Sequence, residues 1–326
     1  MEKEPIFDIA HLAHVELYSP KIEETVTFFK EMLGMNDVHR EGKSVYMRGY
    51  EDHYHHSLIV TENEEAGVGH FALRTTSPQA LERRAKEIEK TGYGIGWIDG
   101  DVGHGRAYQF TSPDGHKMEI FWDVEYYQAA ENQKTDLLNR PQRRPNRGVP
   151  VRRLDHINLL AKDPRKSSDF LEDVLGFKTR ERIIKDDGTD LAAWLSVTNL
   201  VHDIAIMEDA LGEEGRLHHL CFWYGFPENL FDVSELLVEA GYEIEVSPIK
   251  HGVSQALCMY IYEPGGNRIE LFGDSGYLIF DPSWETVEWK GVDVGKSILW
   301  HGGNNLPANF FEYGTPAKKE TSTKTS

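Results

Sequence analysis

The sequence predicts an α+β fold made of two tandem copies of one unit, and three observations carry that prediction. The first is an internal repeat. Leu12-Ala13-His14-Val15-Glu16-Leu17 echoes Leu154-Asp155-His156-Ile157-Asn158-Leu159, Gly69-His70-Phe71-Ala72-Leu73 echoes His218-His219-Leu220-Cys221-Phe222, and Pro113 to Phe121 echoes Pro264 to Phe272. From His14 to His156, His70 to His219 and Glu119 to Glu270 the offsets are 142, 149 and 151 residues, so order is kept while loops grow. The second observation is that both halves show the same succession of element signals. The third is an aperiodic stretch between them, Asn139-Arg140-Pro141-Gln142-Arg143-Arg144-Pro145-Asn146-Arg147-Gly148-Val149-Pro150, which reads as an exposed connection.

Within each half, a short strand leads into an amphipathic helix. The first runs from Lys21 to Leu33, with Val26, Phe28, Phe29, Met32 and Leu33 as its apolar set, and its partner runs from Pro164 to Leu175. A glycine follows each, Gly34 and Gly176, suited to a left-handed cap. Strands come next, Ser44 to Arg48 and His56 to Thr61 in the first half. A second helix follows (Pro78 to Lys90; Pro227 to Ala240), then paired strands broken by a Pro-x-Gly turn. Hairpins among helices exclude the regular βαβ of a doubly wound sheet. The expected division is residues 1–135 as a first unit, 136–150 as linker, 151–314 as a second unit with a C-terminal cover, and 315–326 as a polar, disordered tail.

The 326 residues, 40% of them hydrophobic and seven of them Trp, suffice for large cores. A formal charge of −19 argues against a nucleic-acid partner, which wants a clustered basic surface. No window approaches a membrane span, and Met-Glu-Lys-Glu-Pro lacks the features of a signal peptide. Cys221 and Cys258 lie in apolar runs and read as buried free thiols. The expectation is a cytoplasmic protein without nucleic-acid or membrane partners.

Three residues of the second half carry the chemistry. His156, His219 and Glu270 each arrive on an apolar strand-like run, and two imidazoles with one carboxylate on a concave sheet leave half of an octahedral shell open. His14, His70 and Glu119 repeat that set in the first half. They read as an inherited but unused triad, because no counterpart of His202 is found there and Gln109 stands where the second half has Tyr260. Asp52-His53-Tyr54-His55-His56 reads as a turn entering a strand, since adjacent extended residues face opposite ways. His104 and His116 read as solvated turn residues, and His301 as part of the cover.

With these ligands in context, the chain resembles the type I extradiol ring-cleaving dioxygenases of the vicinal oxygen chelate superfamily, in the catechol 2,3-dioxygenase branch. The most specific stretch is His251-Gly252-Val253-Ser254 followed by Met259-Tyr260-Ile261-Tyr262-Glu263-Pro264-Gly265-Gly266-Asn267-Arg268-Ile269-Glu270-Leu271. The resemblance implies two tandem domains, each of paired βαβββ modules forming an open barrel-like sheet, with the first lacking active metal. It implies Fe(II), with Mn(II) possible, on His156, His219 and Glu270. His202 matches the acid–base catalyst, with a loop insertion between Met207 and Gly215, and an unperturbed imidazole near 6.5 would suit that task. His251 and Tyr260 match residues that hydrogen-bond substrate oxygens, and Asn158 and Trp194 match pocket walls. Substrates would be a catechol and O2, the product a 2-hydroxymuconic semialdehyde, and the assembly a homotetramer.

The homoprotocatechuate branch grips a carboxylate with arginines. Here Val246 and Gly295-Lys296-Ser297 occupy the matching places, which points to catechol or a methylcatechol. Homoprotocatechuate, hydroquinones and biphenyl-2,3-diols are the alternative substrates. A glyoxalase-like isomerase and an aromatic-compound binding protein are the more distant readings.

Overall fold

The computed structural model describes residues 4–302 and 306–317. The first half runs β1 (Ile9–Ser19), α1 (Ile22–Glu31), β2 (Asn36–Glu41), β3 (Ser44–Arg48), β4 (Leu58–Glu62), then β5 (Gly67–Thr75), α2 (Pro78–Thr91), β6 (Gly94–Ile98), β7 (Ala107–Thr111) and β8 (Lys117–Phe121). That is one βαβββ module written twice. The second half repeats it as β9 (Arg153–Ala161), α3 (Pro164–Phe170), β10 (Lys178–Ile184), β11 (Asp190–Ser196), β12 (Ile204–Glu208), β13 (Arg216–Trp223), α4 (Glu228–Glu239), β14 (Ile244–Lys250), β15 (Leu257–Tyr262) and β16 (Arg268–Phe272). A cover follows: β17 (Val287–Lys290) and α5 (Val294–Ile298). After α3 a π-helical turn, Leu171–Leu175, carries the helix to Gly176, whose φ of +80° is the left-handed cap expected from sequence.

In each half the two modules meet edge to edge. The first sheet runs β2-β3-β4-β1-β5-β8-β7-β6 and the second β14-β15-β16-β13-β9-β12-β11-β10-β17. The joints are antiparallel, β1 on β5 and β9 on β13, while β4 and β8, like β12 and β16, lie parallel to the first strand of their module. Strand alternation then decides what each sheet face holds. Along β9, Ile157, Leu159 and Ala161 enter a core shared by both halves, while His156 and Asn158 face a cavity. Phe29 of α1 meets Phe222 across that core at 5.8 Å between ring centroids.

The two Pro-Gly turns of the repeat clasp opposite halves. Glu263 accepts from its own Asn267 and from the Thr25 hydroxyl of the first half (2.6 Å), and the Asn267 amide donates to the Tyr18 carbonyl (3.0 Å). In return, Asp114 accepts from the Lys162 N–H (2.9 Å), and His116 Nε2 donates to the Arg216 carbonyl (3.0 Å). Much of the signature around Glu263 and Asn267 thus joins halves. His116, expected in solvent, is buried for this reason.

Two further expectations are corrected in part. The linker is exposed at Asn139, Arg143, Arg144 and Asn146, as expected, but it is anchored: Gln142 is buried and bonded to Asn36 (2.7 Å), and the Arg147 guanidinium donates to the Lys30 and Met35 carbonyls. Arg140 of the same stretch pairs with Glu51 (3.5 Å). The tail expected from 315 is tied down at its start, because Thr315 is buried and exchanges both backbone hydrogen bonds with Leu217 (2.8 and 2.9 Å). Positions 318–326 lie outside the described residues.

Arg216 fixes that segment. Its guanidinium donates to Asp209 (2.7 and 2.9 Å) and to the Gly314 and Pro316 carbonyls, with both charged side chains almost fully buried. Arg216→Ala strands the Asp209 charge in the interior, and a loss of about 3–5 kcal/mol is expected. Urea unfolding measures it; a loss under about 1 kcal/mol would show the pair to be dispensable.

Candidate metal centre

His156, His219 and Glu270 converge on one point. His156 Nε2 lies 3.3 Å from His219 Nε2 and 2.9 Å from Glu270 Oε2, and His219 Nε2 lies 3.1 Å from the same oxygen. Ligands about 2.0–2.1 Å from a cation stand about 3.0–3.4 Å apart, so these are the edges of a coordination shell. All three side chains are buried, on β9, β13 and β16.

The tautomers follow from the neighbours. His156 Nδ1 donates to Asp155 Oδ1 (2.9 Å), leaving Nε2 bare. His218 Nε2 donates to the Phe310 carbonyl (3.0 Å), so its Nδ1 accepts from His219 Nδ1 (2.6 Å), and His219 Nε2 is bare as well. Two nitrogen lone pairs and a carboxylate therefore face one another, an arrangement that needs a cation. Glu270 Oε1, buried without a hydrogen-bond partner, completes the fit to a divalent metal.

The electrostatics say the same. Burial opposes charge on His156, yet the Asp155 and Glu270 carboxylates outweigh it and raise the imidazole to about 9. Burial wins at His219, which falls to about 4. Burial also opposes ionisation of Glu270, but the His219, His156 and His251 imidazoles hold its carboxyl well below the usual range. Without a metal, His156 Nε2 thus carries a proton in the place of the cation, and it is bare only when a metal displaces that proton.

The other expected residues line the same cavity, Val246 excepted. The His202 ring lies 4.0 Å from that of His156, and among the described residues its side chain makes no hydrogen bond. Burial pushes His202 well below its ordinary range, so the imidazole is neutral and not the unperturbed group that would suit proton exchange near 6.5. The Tyr260 hydroxyl donates to His251 Nε2 (2.8 Å), and His251 Nδ1 donates to the Ile298 carbonyl of the cover. Asn158 offers a buried carbonyl oxygen without a partner, beside Trp194. Val246 lies opposite Tyr260 across β14 and β15, in an apolar cluster with Cys258 and Phe310, and does not line the cavity. Cys221 and Cys258 are free and buried, as expected.

The loop after His251 is held from three sides. Glu181 accepts from the Ser254 N–H, the Tyr277 hydroxyl and the Trp289 indole of β17 (2.8, 2.9 and 2.7 Å). Gly252 and Val253 donate to Ser297 in α5, and a Cβ at Gly252 would collide with the Lys296 carbonyl. The glycine of the signature is therefore a close-approach residue.

Sequence reasoning missed His218, which faces the cavity although its neighbour His219 does too. A register shift between Leu217 and His219 breaks the alternation there, and the adjacency of two histidines was its only signal. It also missed Asp155 and Glu181. A wider cavity of about 550 Å³ opens between the halves beside Asp155 and His56, and contains none of the three converging donors.

A model of the Glyoxalase/Bleomycin resistance protein/Dioxygenase superfamily matches residues 11–120 and 153–271. The chain is 59% identical to a metapyrocatechase of Geobacillus stearothermophilus over 315 residues, 96% of each chain. It is 37% identical to a manganese-dependent 2,3-dihydroxybiphenyl 1,2-dioxygenase of Geobacillus genomosp. 3, covering 92% of this chain and 96% of the relative. Among solved structures, homoprotocatechuate 2,3-dioxygenase from Brevibacterium fuscum, in an anaerobic complex with 3,4-dihydroxyphenylacetate, superposes with a TM-score of 0.82 at 27% identity, covering 95% and 93% of the two chains.

Proposed function

Because the chain belongs to the Glyoxalase/Bleomycin resistance protein/Dioxygenase superfamily, we propose that its second half is catalytic and performs extradiol cleavage of catechol or a methylcatechol. His156, His219 and Glu270 would hold Fe(II), and the same donors suit Mn(II). When bound, the cation supplies a shared site where an aromatic diolate and O2 exchange charge without an external reductant.

The chain's own residues supply the rest. Neutral His202 accepts a catechol proton and can return it to oxygen later in the reaction. Tyr260 and His251 are coupled by one hydrogen bond, and the Tyr260 hydroxyl can turn from His251 Nε2 to donate to charge developing on oxygen in a buried cavity. The orphaned Asn158 oxygen accepts from a substrate hydroxyl. The carbon–carbon bond beside the diol breaks and both atoms of O2 enter the 2-hydroxymuconic semialdehyde, so the step balances without another reactant.

One observation carries the substrate choice. Among the described residues no arginine or lysine lines the cavity, and Lys296 is half-exposed and paired with Asp293 (2.7 Å). An anionic ring substituent would enter unpaired, which favours an uncharged catechol. The proposed assembly, a homotetramer, rests on the resemblance alone.

Anaerobic reconstitution with Fe(II), followed by air and catechol, is expected to give the yellow semialdehyde, one O2 consumed per catechol, and loss of activity on chelation. Absence of product from catechol and methylcatechols, with one metal bound at Glu270, would overturn the reading. Faster turnover of 3,4-dihydroxyphenylacetate would overturn the substrate choice alone.

A further inference from the structure

The first half carries more of the constellation than its sequence shows. His14, His70 and Glu119 hold the same register positions as His156, His219 and Glu270. Glu119 pairs with Ala72 in the parallel β5–β8 ladder as Glu270 pairs with Cys221 in β13–β16, and each histidine ligand stands two residues before that partner. Two more positions also match. His56 stands two residues before Leu58, which pairs with Val15, as His202 stands two residues before Ile204, which pairs with Ile157. Its ring lies 4.9 Å from that of His14. His104 sits on the β6–β7 connection as His251 sits on β14–β15, and its Nε2 lies 3.2 Å from Glu119 Oε1, against 3.4 Å for His251 and Glu270. Both correct the sequence reading, in which His202 had no counterpart and His104 was solvated.

The hydrogen atoms are arranged for a cation here too. His70 Nδ1 donates to Glu16 Oε2 (2.9 Å), and Glu16 is itself fixed by the Thr61 hydroxyl (2.7 Å). His104 Nδ1 donates to the Gly105 carbonyl (2.8 Å). Both Nε2 atoms are therefore bare. His70 Nε2 lies 3.2 Å from His14 Nε2 and 3.9 Å from Glu119 Oε1, and His14 Nε2 lies 3.6 Å from that oxygen. These separations run from the edge length of a shell with bonds of about 2.0–2.1 Å to slightly beyond it. Glu119 Oε1, in a side chain 2% exposed, has no hydrogen-bond partner. An inherited triad under no demand would not need a carboxylate positioned behind His70, since such outer partners serve to orient a ligand.

We propose that the first half binds a second divalent first-row cation through His14, His70 and Glu119, with His104 beside the carboxylate. Gln109 replaces the phenol of Tyr260, its amide donating to Glu119 (3.3 Å). Two imidazoles and one carboxylate suit Zn(II), and its role is structural: it ties β1, β5 and β8 together.

The test is metal stoichiometry on the full chain. Wild-type protein stripped and then saturated with Zn(II) is expected to hold two equivalents after gel filtration. Glu270→Ala is expected to hold one, and Co(II) added to that variant should give the visible absorption of a four-coordinate nitrogen–oxygen site. His14→Ala or Glu119→Gln, in the Glu270→Ala background, should abolish that absorption with the circular dichroism spectrum unchanged. Glu119→Gln alone should lose one equivalent and keep ring cleavage of the Fe(II)-loaded enzyme within about threefold. One equivalent in wild type and none in Glu270→Ala would overturn the proposal, as would a Co(II) spectrum indifferent to both first-half substitutions. Two equivalents without ring cleavage would support this site while sinking the catalytic reading.

Discussion

Glu270→Ala is expected to empty the second-half site and end ring cleavage together. The carboxylate is the only anion among the three converging donors, and its Oε2 stands 2.9 and 3.1 Å from the two imidazole nitrogens. Removing it leaves two neutral imidazoles on a divalent cation and opens buried space beside His251 Nε2, which lies 3.4 Å from Oε1. Loss of an outer partner of a ligand costs about 10–100-fold in metal affinity, and loss of the ligand itself should exceed that range. Iron content after gel filtration and oxygen uptake with catechol are the two readings. A variant that kept a full equivalent of iron in the second half would disprove the assignment of Glu270 as ligand.

His202→Phe is expected to behave oppositely, keeping iron and losing turnover. The imidazole packs 4.0 Å from the His156 ring, and phenylalanine fills that space while removing the proton acceptor. A positioned general base contributes about 10²–10⁴-fold, or about 3–5 kcal/mol of barrier, and the fall in kcat should lie in that range. Because burial already keeps His202 neutral, the loss should persist across neutral pH and not be repaired by raising it. Iron loss in His202→Phe would make the residue a ligand; unchanged turnover would remove it from the chemistry.

The triad was legible in the chain because strand period and repeat register are local properties. His156, His219 and Glu270 each sit on a run whose alternation survives into the fold, and a second copy confirmed the frame. What stayed hidden depends on contacts between distant segments. His104 and His56 are delivered by connections of no fixed period, so only the folded sheet shows that they reach Glu119 and His14. His218 was masked by a register shift that turns two adjacent residues to one side. The anchors of the linker stayed hidden because arginine and proline describe a solvated stretch until the carbonyls of Lys30 and Met35 are placed beside Arg147. Val246 matched a pocket position by its distance from His251, and the β14–β15 register sets it beside Tyr260, packed with Cys258 and Phe310 and off the cavity lining.

The Phe310 carbonyl selects the tautomer of His218, which in turn bares His219 Nε2 for a metal. The chain near its end, pinned by Arg216 and Thr315, is therefore part of the ligand field by proxy. Reciprocity follows: whatever free energy the cation draws from a correctly turned His219 must be returned as tighter docking of residues 306–316. Iron occupancy and resistance of that segment to proteolysis are two readouts of one equilibrium, and a preparation nicked there would be underloaded before any ligand had been altered.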